Sequence, residues 1–228
     1  MRRDDSETIE PATRERHNHH GQRIGSKGER TRQVLIETTV RLLEERGLRE
    51  VAVADVARAA KTSPATFYVY FRGVPEVVLA ALESAPQTSA RLEALMDRDW
   101  LAAGGAAAAR ALVDEYTELW ARNRTIFRVR NLAAEEGDGR FYRARLDAAR
   151  PTMDGLVPHV SLAQAAGRVP GQLDQRACIG TILMMLERLS AIGPLGTGQS
   201  DSPDFASLKD AAAYTILQML GAPIAPHP

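Results

Sequence analysis

One periodicity governs this chain of 228 residues. Apolar side chains return every three or four positions through most of it, and no segment sustains the two-residue alternation of a half-buried strand. In "LDQRACIGTILMMLERLSAIG" the residues Ile179, Ile182, Leu183, Leu186 and Leu189 share one face of a helix, the clearest amphipathic segment in the chain. The fold class this predicts is all-α, with about nine helices and no internal repeat.

Start and stop signals divide the pattern. Helices are expected from residue 29 to the Gly47 stop, over 53–60, and from a Ser63-Pro64 start to near Gly73. Residues 74–95 read as helical with a break or kink at Pro86, and further helices are expected over 105–123 and 125–135. Another starts at Phe141, and Pro151 either kinks it or opens its successor. The last two span 173–192 and 205–220, joined by the loop "GPLGTGQSDSPD". Residues 1–26 carry almost no large apolar side chains and read as a disordered arm. Its His17, His19 and His20 have no carboxylate partners in a metal-ligand pattern.

Composition excludes several classes. No apolar leader and no run long enough to span a bilayer occurs, so a cytoplasmic protein with no membrane partner is expected. The single cysteine, Cys178, sits in an apolar run and reads as a buried thiol. Formal net charge is zero, but residues 1–72 hold 14 Lys/Arg against 11 Asp/Glu and the remainder 15 against 18. A polyanion would therefore meet the first third. Enzyme chemistry has little support: Glu135, Glu136 and Asp138 form a charged turn, His159 has no evident partner, and no phosphate loop, HExxH or CxxC occurs. No cofactor is implied.

The segment "KTSPATFYVYF", 61–71, concentrates four aromatic rings in five positions behind a small-residue turn. Two short helices joined by such a turn make a helix-turn-helix, whose second helix enters the major groove of DNA. Phe67 and Phe71, four apart, face the three-helix core, while Tyr68 lies on the other side. The longer stretch "VADVARAAKTSPATFYVYF" resembles the signature of the TetR family of transcriptional regulators, over about residues 29–82.

The resemblance implies a DNA-binding unit over 27–73 and a larger helical effector-binding and dimerisation unit over 74–228. It places Thr62, Ser63, Ala65, Thr66 and Val69 toward the bases, with Thr66, Tyr68 and Tyr70 at the phosphates or the groove wall. Thr31, read as lying at the start of helix one, is placed at the backbone. Two positions depart from the family pattern. The turn reads Lys61-Thr62 where Gly-Val is usual, and Val74 stands where a lysine commonly opens helix four. Lys61 or Arg72 would replace that phosphate contact in part, assisted by Arg14, Arg16, Arg23 and Lys27 of the arm.

The same resemblance implies a homodimer that binds a double-stranded DNA operator and responds to a small-molecule effector, most often as a repressor. The final two helices would pair with their copies through Ile182, Leu186, Leu189, Ala212, Ile216 and Met219; the alternative is that these faces bury within one chain. Tyr116, Trp120, Phe127, Met153, Met184 and Met185 are candidate pocket residues. Arg128, Arg130 and Asn131 stand beside them as polar positions that either orient a ligand or face solvent. An all-α ligand-binding protein or enzyme without DNA binding is the competing reading.

Overall fold

The computed structural model describes residues 25–193 and 203–222, and every described element is helical. Ten α-helices and one 3₁₀ turn occur among these residues. The chain divides into two compact units, one ending at Val78 and the other beginning at Leu79. The expected arm lies outside the described residues except for Gly25 and Ser26, and Ser26 already opens the first helix. Most of the expected 193–204 loop lies outside them too.

In the first unit α1 spans Ser26–Glu45, a 3₁₀ turn Leu48–Glu50, α2 Val53–Ala59 and α3 Pro64–Tyr70. Leu35, Ile36 and Leu43 of α1 are buried, as are Val56 and Ala57 of α2 and Phe67 of α3. Ala52 offers no side-chain cap to α2, but its backbone N–H donates to Asp55 Oδ2 at 3.3 Å. That is half of a capping box, and it supplies the start signal that position 52 lacks.

The helix α4, Val74–Ser84, is separated from α5, Ala90–Met96, so the segment expected to bend at Pro86 is two helices. Then come α6 (Gly105–Arg122), α7 (Arg124–Glu135), α8 (Gly139–Ala165), α9 (Gln175–Ile192) and α10 (Phe205–Met219). Pro151 opens no new helix: α8 runs as one element through Pro151 and Pro158. Each proline removes an N–H that would have met the carbonyl four residues earlier. Those carbonyls belong to Asp147 and Asp154, both exposed, where water can satisfy them. The buried face, Thr152, Leu156, Val160 and Ala163, contains neither proline.

The second unit closes around α6. At Gly105, on the α6 face toward α10, an added Cβ would stand 2.7 Å from Ala222 Cβ and 2.9 Å from Leu217 Cδ1, so only glycine permits this approach. Lys209 Nζ of α10 reaches Asp114 Oδ1 of α6 at 2.5 Å, and Arg110 joins Asp114 to Asp210. Burial works against the charged form of Asp114, and the hydrogen bonds and charges of Lys209 and Arg110 outweigh it, holding its pKa below the ordinary value.

The residues expected to pair two copies also serve one chain's own core. Ile182, Leu186, Leu189, Ala212 and Ile216 are buried within one chain, and Met219 packs against the same cluster. They form the intrachain core because α9 and α10 turn their most apolar faces onto α6 and α8. Among the positions that α9 and α10 leave exposed are Ala177, Thr181 and Met184 on one and Ala211, Tyr214 and Gln218 on the other.

Candidate nucleic-acid interface and interior cavity

Helix α3 begins with a complete local signal. Ser63 Oγ accepts the Thr66 backbone N–H at 3.1 Å and lies 3.0 Å from Thr66 Oγ1, while Pro64 occupies the first turn. Behind this tip, Phe67 is 0% exposed and Phe71 is also buried, with ring centroids 5.9 Å apart. Arg32 of α1 covers Phe71 at 5.2 Å from the ring centroid. Tyr68, by contrast, is 50% exposed and meets Phe67 only edge-on.

Ser63, Pro64, Ala65 and Arg72 are exposed, and Thr62, Thr66, Val69 and Tyr70 are half-buried. Thr31 differs from its expected place. It sits in the second turn of α1, and its hydroxyl donates to the Lys27 carbonyl at 3.1 Å. Its single hydroxyl proton is therefore already engaged within the helix. Val74 is buried at the start of α4, so the position where the family commonly has lysine serves the core here.

The turn before α3 has a geometry that local pattern did not reveal. Thr62 N–H donates to the Ala57 carbonyl at 2.9 Å and Lys61 N–H to that of Arg58 at 3.1 Å, the paired bonds of a Schellman motif. The left-handed position is Lys61, with φ of +53°, where glycine is the favoured residue. Lys61→Gly is expected to stabilise the first unit by about 0.5–1 kcal/mol while weakening DNA binding uniformly across sequences. A urea midpoint and a salt-dependent DNA titration check the two effects separately, and an unchanged midpoint would contradict a strained turn.

In the second unit a cavity of about 340 Å³ lies among α6, α7, α8 and α9. Tyr116, Leu119, Trp120, Phe127, Leu146, Met153, Leu183 and Met184 supply most of its wall. Trp120 and Phe127 meet edge to face at 6.1 Å, Arg124 lies over the Trp120 ring, and Arg130 lies over Phe127 at 4.8 Å. Five of the expected pocket residues line this cavity: Tyr116, Trp120, Phe127, Met153 and Met184. Two do not. Met185 packs against the buried cluster, and Asn131 lines a neighbouring cavity while its Oδ1 accepts from Arg130 Nε at 3.0 Å.

The charged end of the cavity combines three helices. Arg130 of α7, only 3% exposed, donates to Glu187 Oε1 of α9 at 2.8 Å; Arg145 of α8 reaches Glu187 Oε2 through Nη2 at 2.7 Å. Burial lowers the Arg130 pKa from its ordinary value, and the charge of Glu187 works in the opposite direction. The Tyr116 phenol is pushed well up, by burial first and then by the charge of Glu187, so it remains a protonated donor. The Trp120 indole N–H makes no hydrogen bond among the described residues. Neither Arg145 nor Glu187 was singled out from sequence, because a surface ion pair and a buried clasp have the same local pattern.

Comparison with protein families places these features. Residues 35–81 match the family model described as bacterial regulatory proteins, tetR family. Residues 92–218, more than half of the chain, match that of the tetracyclin repressor-like C-terminal domain. The chain belongs to the TetR family. A search of curated protein sequences gives no match.

Among solved structures, the fatty acid degradation regulator FadR from Bacillus halodurans is similar at 16% identity and a TM-score of 0.60, over 82% of this chain and 94% of that one. A TetR-family regulator from Syntrophomonas wolfei aligns at 11% identity and 0.60, over 87% and 99%. FadR from Bacillus subtilis, solved in complex with stearoyl-CoA, aligns at 14% and 0.58, over 81% and 97%. At these identities the likeness is one of fold. As a TetR-family protein the chain is a DNA-binding transcriptional regulator by family and fold, and no single described helix is long and apolar enough to cross a membrane.

Proposed function

We propose that this regulator is a cytoplasmic homodimeric repressor that binds an operator through α3 and releases it when a small molecule fills the cavity among α6 to α9. The observation that carries the DNA reading is the split character of α3, with Phe67 and Phe71 buried behind a solvent-facing tip of Ser63, Ala65 and Tyr68. Rings anchor the helix, and hydroxyls are left for the duplex. Thr62, Ser63, Ala65, Thr66 and Val69 are assigned to the bases; Thr66, Tyr68 and Tyr70 to phosphates or the groove wall. Lys61 and Arg72 supply backbone charge. Thr31 reaches a phosphate only if its hydroxyl leaves the Lys27 carbonyl.

This divides the labour between an N-terminal reading unit, preceded by an arm, and an effector-binding and dimerisation unit beyond it. The dimer face is assigned to the exposed stripe of Ala177, Thr181, Ala211, Tyr214 and Gln218, whose small residues permit close helix approach. Effector binding draws support from the cavity itself and from the stearoyl-CoA complex of the Bacillus subtilis FadR, a protein of the same fold. Ligand binding acts on DNA affinity only as far as it favours one arrangement over another.

Electrophoretic titration against the DNA flanking its own gene, beside a scrambled duplex, tests this reading. Selective, salt-dependent binding to the flanking DNA is expected. Equal affinity for both duplexes at low salt would leave an all-α ligand-binding protein, to which the buried Val74 would belong.

A further inference from the structure

The effector cavity has a neighbour of about 400 Å³ with which it shares Trp120, Arg145, Met184 and Glu187. The two differ in chemistry. Aromatic and aliphatic side chains dominate the first, whose only charged residues are Arg130, Arg145 and Glu187. Four arginines line the second, Arg124, Arg128, Arg145 and Arg188, against two carboxylates, Glu135 and Glu187.

The arginines are not equally committed. Arg145 holds Glu187, and Arg124 donates to the Ser190 and Ala191 carbonyls at the end of α9. Arg128 and Arg188 are exposed and make no hydrogen bond or ion pair among the described residues. Both Glu187 oxygens are already occupied, so this carboxylate does not neutralise them. On the shared wall, the Trp120 N–H is buried and has no acceptor among the described residues. An unfilled donor and two uncommitted guanidinium groups beside an apolar chamber point to a ligand bearing an acceptor and negative charge at one end only.

We propose that the paired cavities form one site for an amphipathic anion, with an apolar body among Phe127, Leu146, Met153 and Leu183 and a carboxylate or phosphate head held by Arg128 and Arg188. This rests on the reading of the chain as an effector-binding regulator and names the class of effector. Both volumes fall within the range of small-molecule sites.

Calorimetric titration of the full chain with decanoate, decyl phosphate, decanol and decyltrimethylammonium tests it. Decanoate or decyl phosphate is expected to bind about tenfold more tightly than the alcohol or the cation. The double variant Arg128→Gln, Arg188→Gln should reduce anion affinity to that of decanol, with decanol binding and the mass by light scattering unchanged. Binding of decanol as tight as that of the anions, no binding of any probe, or an unaltered double variant would each overturn the assignment. The DNA titration is a separate readout: anion selectivity without operator binding would contradict the regulatory reading and leave the ligand class standing.

Discussion

Glu187→Ala is expected to destabilise the second unit by about 3–5 kcal/mol, the cost of leaving a buried charge without its partner. Glu187 is 14% exposed and binds two guanidinium groups at once, Arg130 from α7 and Arg145 from α8. Arg145, at 30% exposed, can turn to water when the carboxylate is gone. Arg130 cannot, being enclosed by Phe127 and the cavity wall. The penalty therefore falls mainly on one residue. Glu187→Gln, which keeps an acceptor but loses the charge, should cost less, and adding Arg130→Met to Glu187→Ala should recover much of the loss, since an apolar side chain needs no counter-ion. Urea unfolding of the three variants reads the ordering directly, and a Glu187→Ala midpoint equal to that of the wild type would show that the clasp has no net stabilising role.

Phe67→Ala should cost about 3–5 kcal/mol in the first unit and abolish DNA binding with it. Phe67 is 0% exposed and meets both Phe71 and Tyr68 through its ring, so its removal leaves a cavity under the helix that carries the hydroxyl-bearing tip. A loss of this size is a large fraction of the stability of a whole domain. Phe67→Leu fills part of the space and should keep measurable binding. Circular dichroism during urea unfolding, paired with a DNA titration, separates the two substitutions. Retention of wild-type stability by Phe67→Ala would place the ring outside the core.

How much was legible depends on whether the signal was local. Ser63, Pro64 and the four-residue spacing of Phe67 and Phe71 are neighbours in sequence, and the capped, ring-anchored α3 follows from them. The unbroken α8 was not legible, because tolerance of Pro151 and Pro158 depends on which side of a helix faces water. The intrachain burial of the residues expected at a dimer face was not legible for a related reason. Spacing shows that Ile182, Leu186 and Leu189 share a face, and only packing shows that α6 and α8 already cover it. The cavity was half legible: Tyr116, Trp120 and Phe127 lie close together in α6 and α7, whereas Glu187 meets Arg145 across 42 positions and Arg130 across 57. Pairs this distant leave no periodic trace.

The central claim, that the tip of α3 reads a duplex, is tested most directly by fluorescence anisotropy on the flanking DNA with wild type and the double variant Thr66→Ala, Tyr68→Phe. Both substitutions remove hydroxyls and preserve the buried rings, so an affinity loss of at least about tenfold is expected with an unchanged unfolding midpoint. Equal binding of the flanking duplex by wild type and variant would contradict the account.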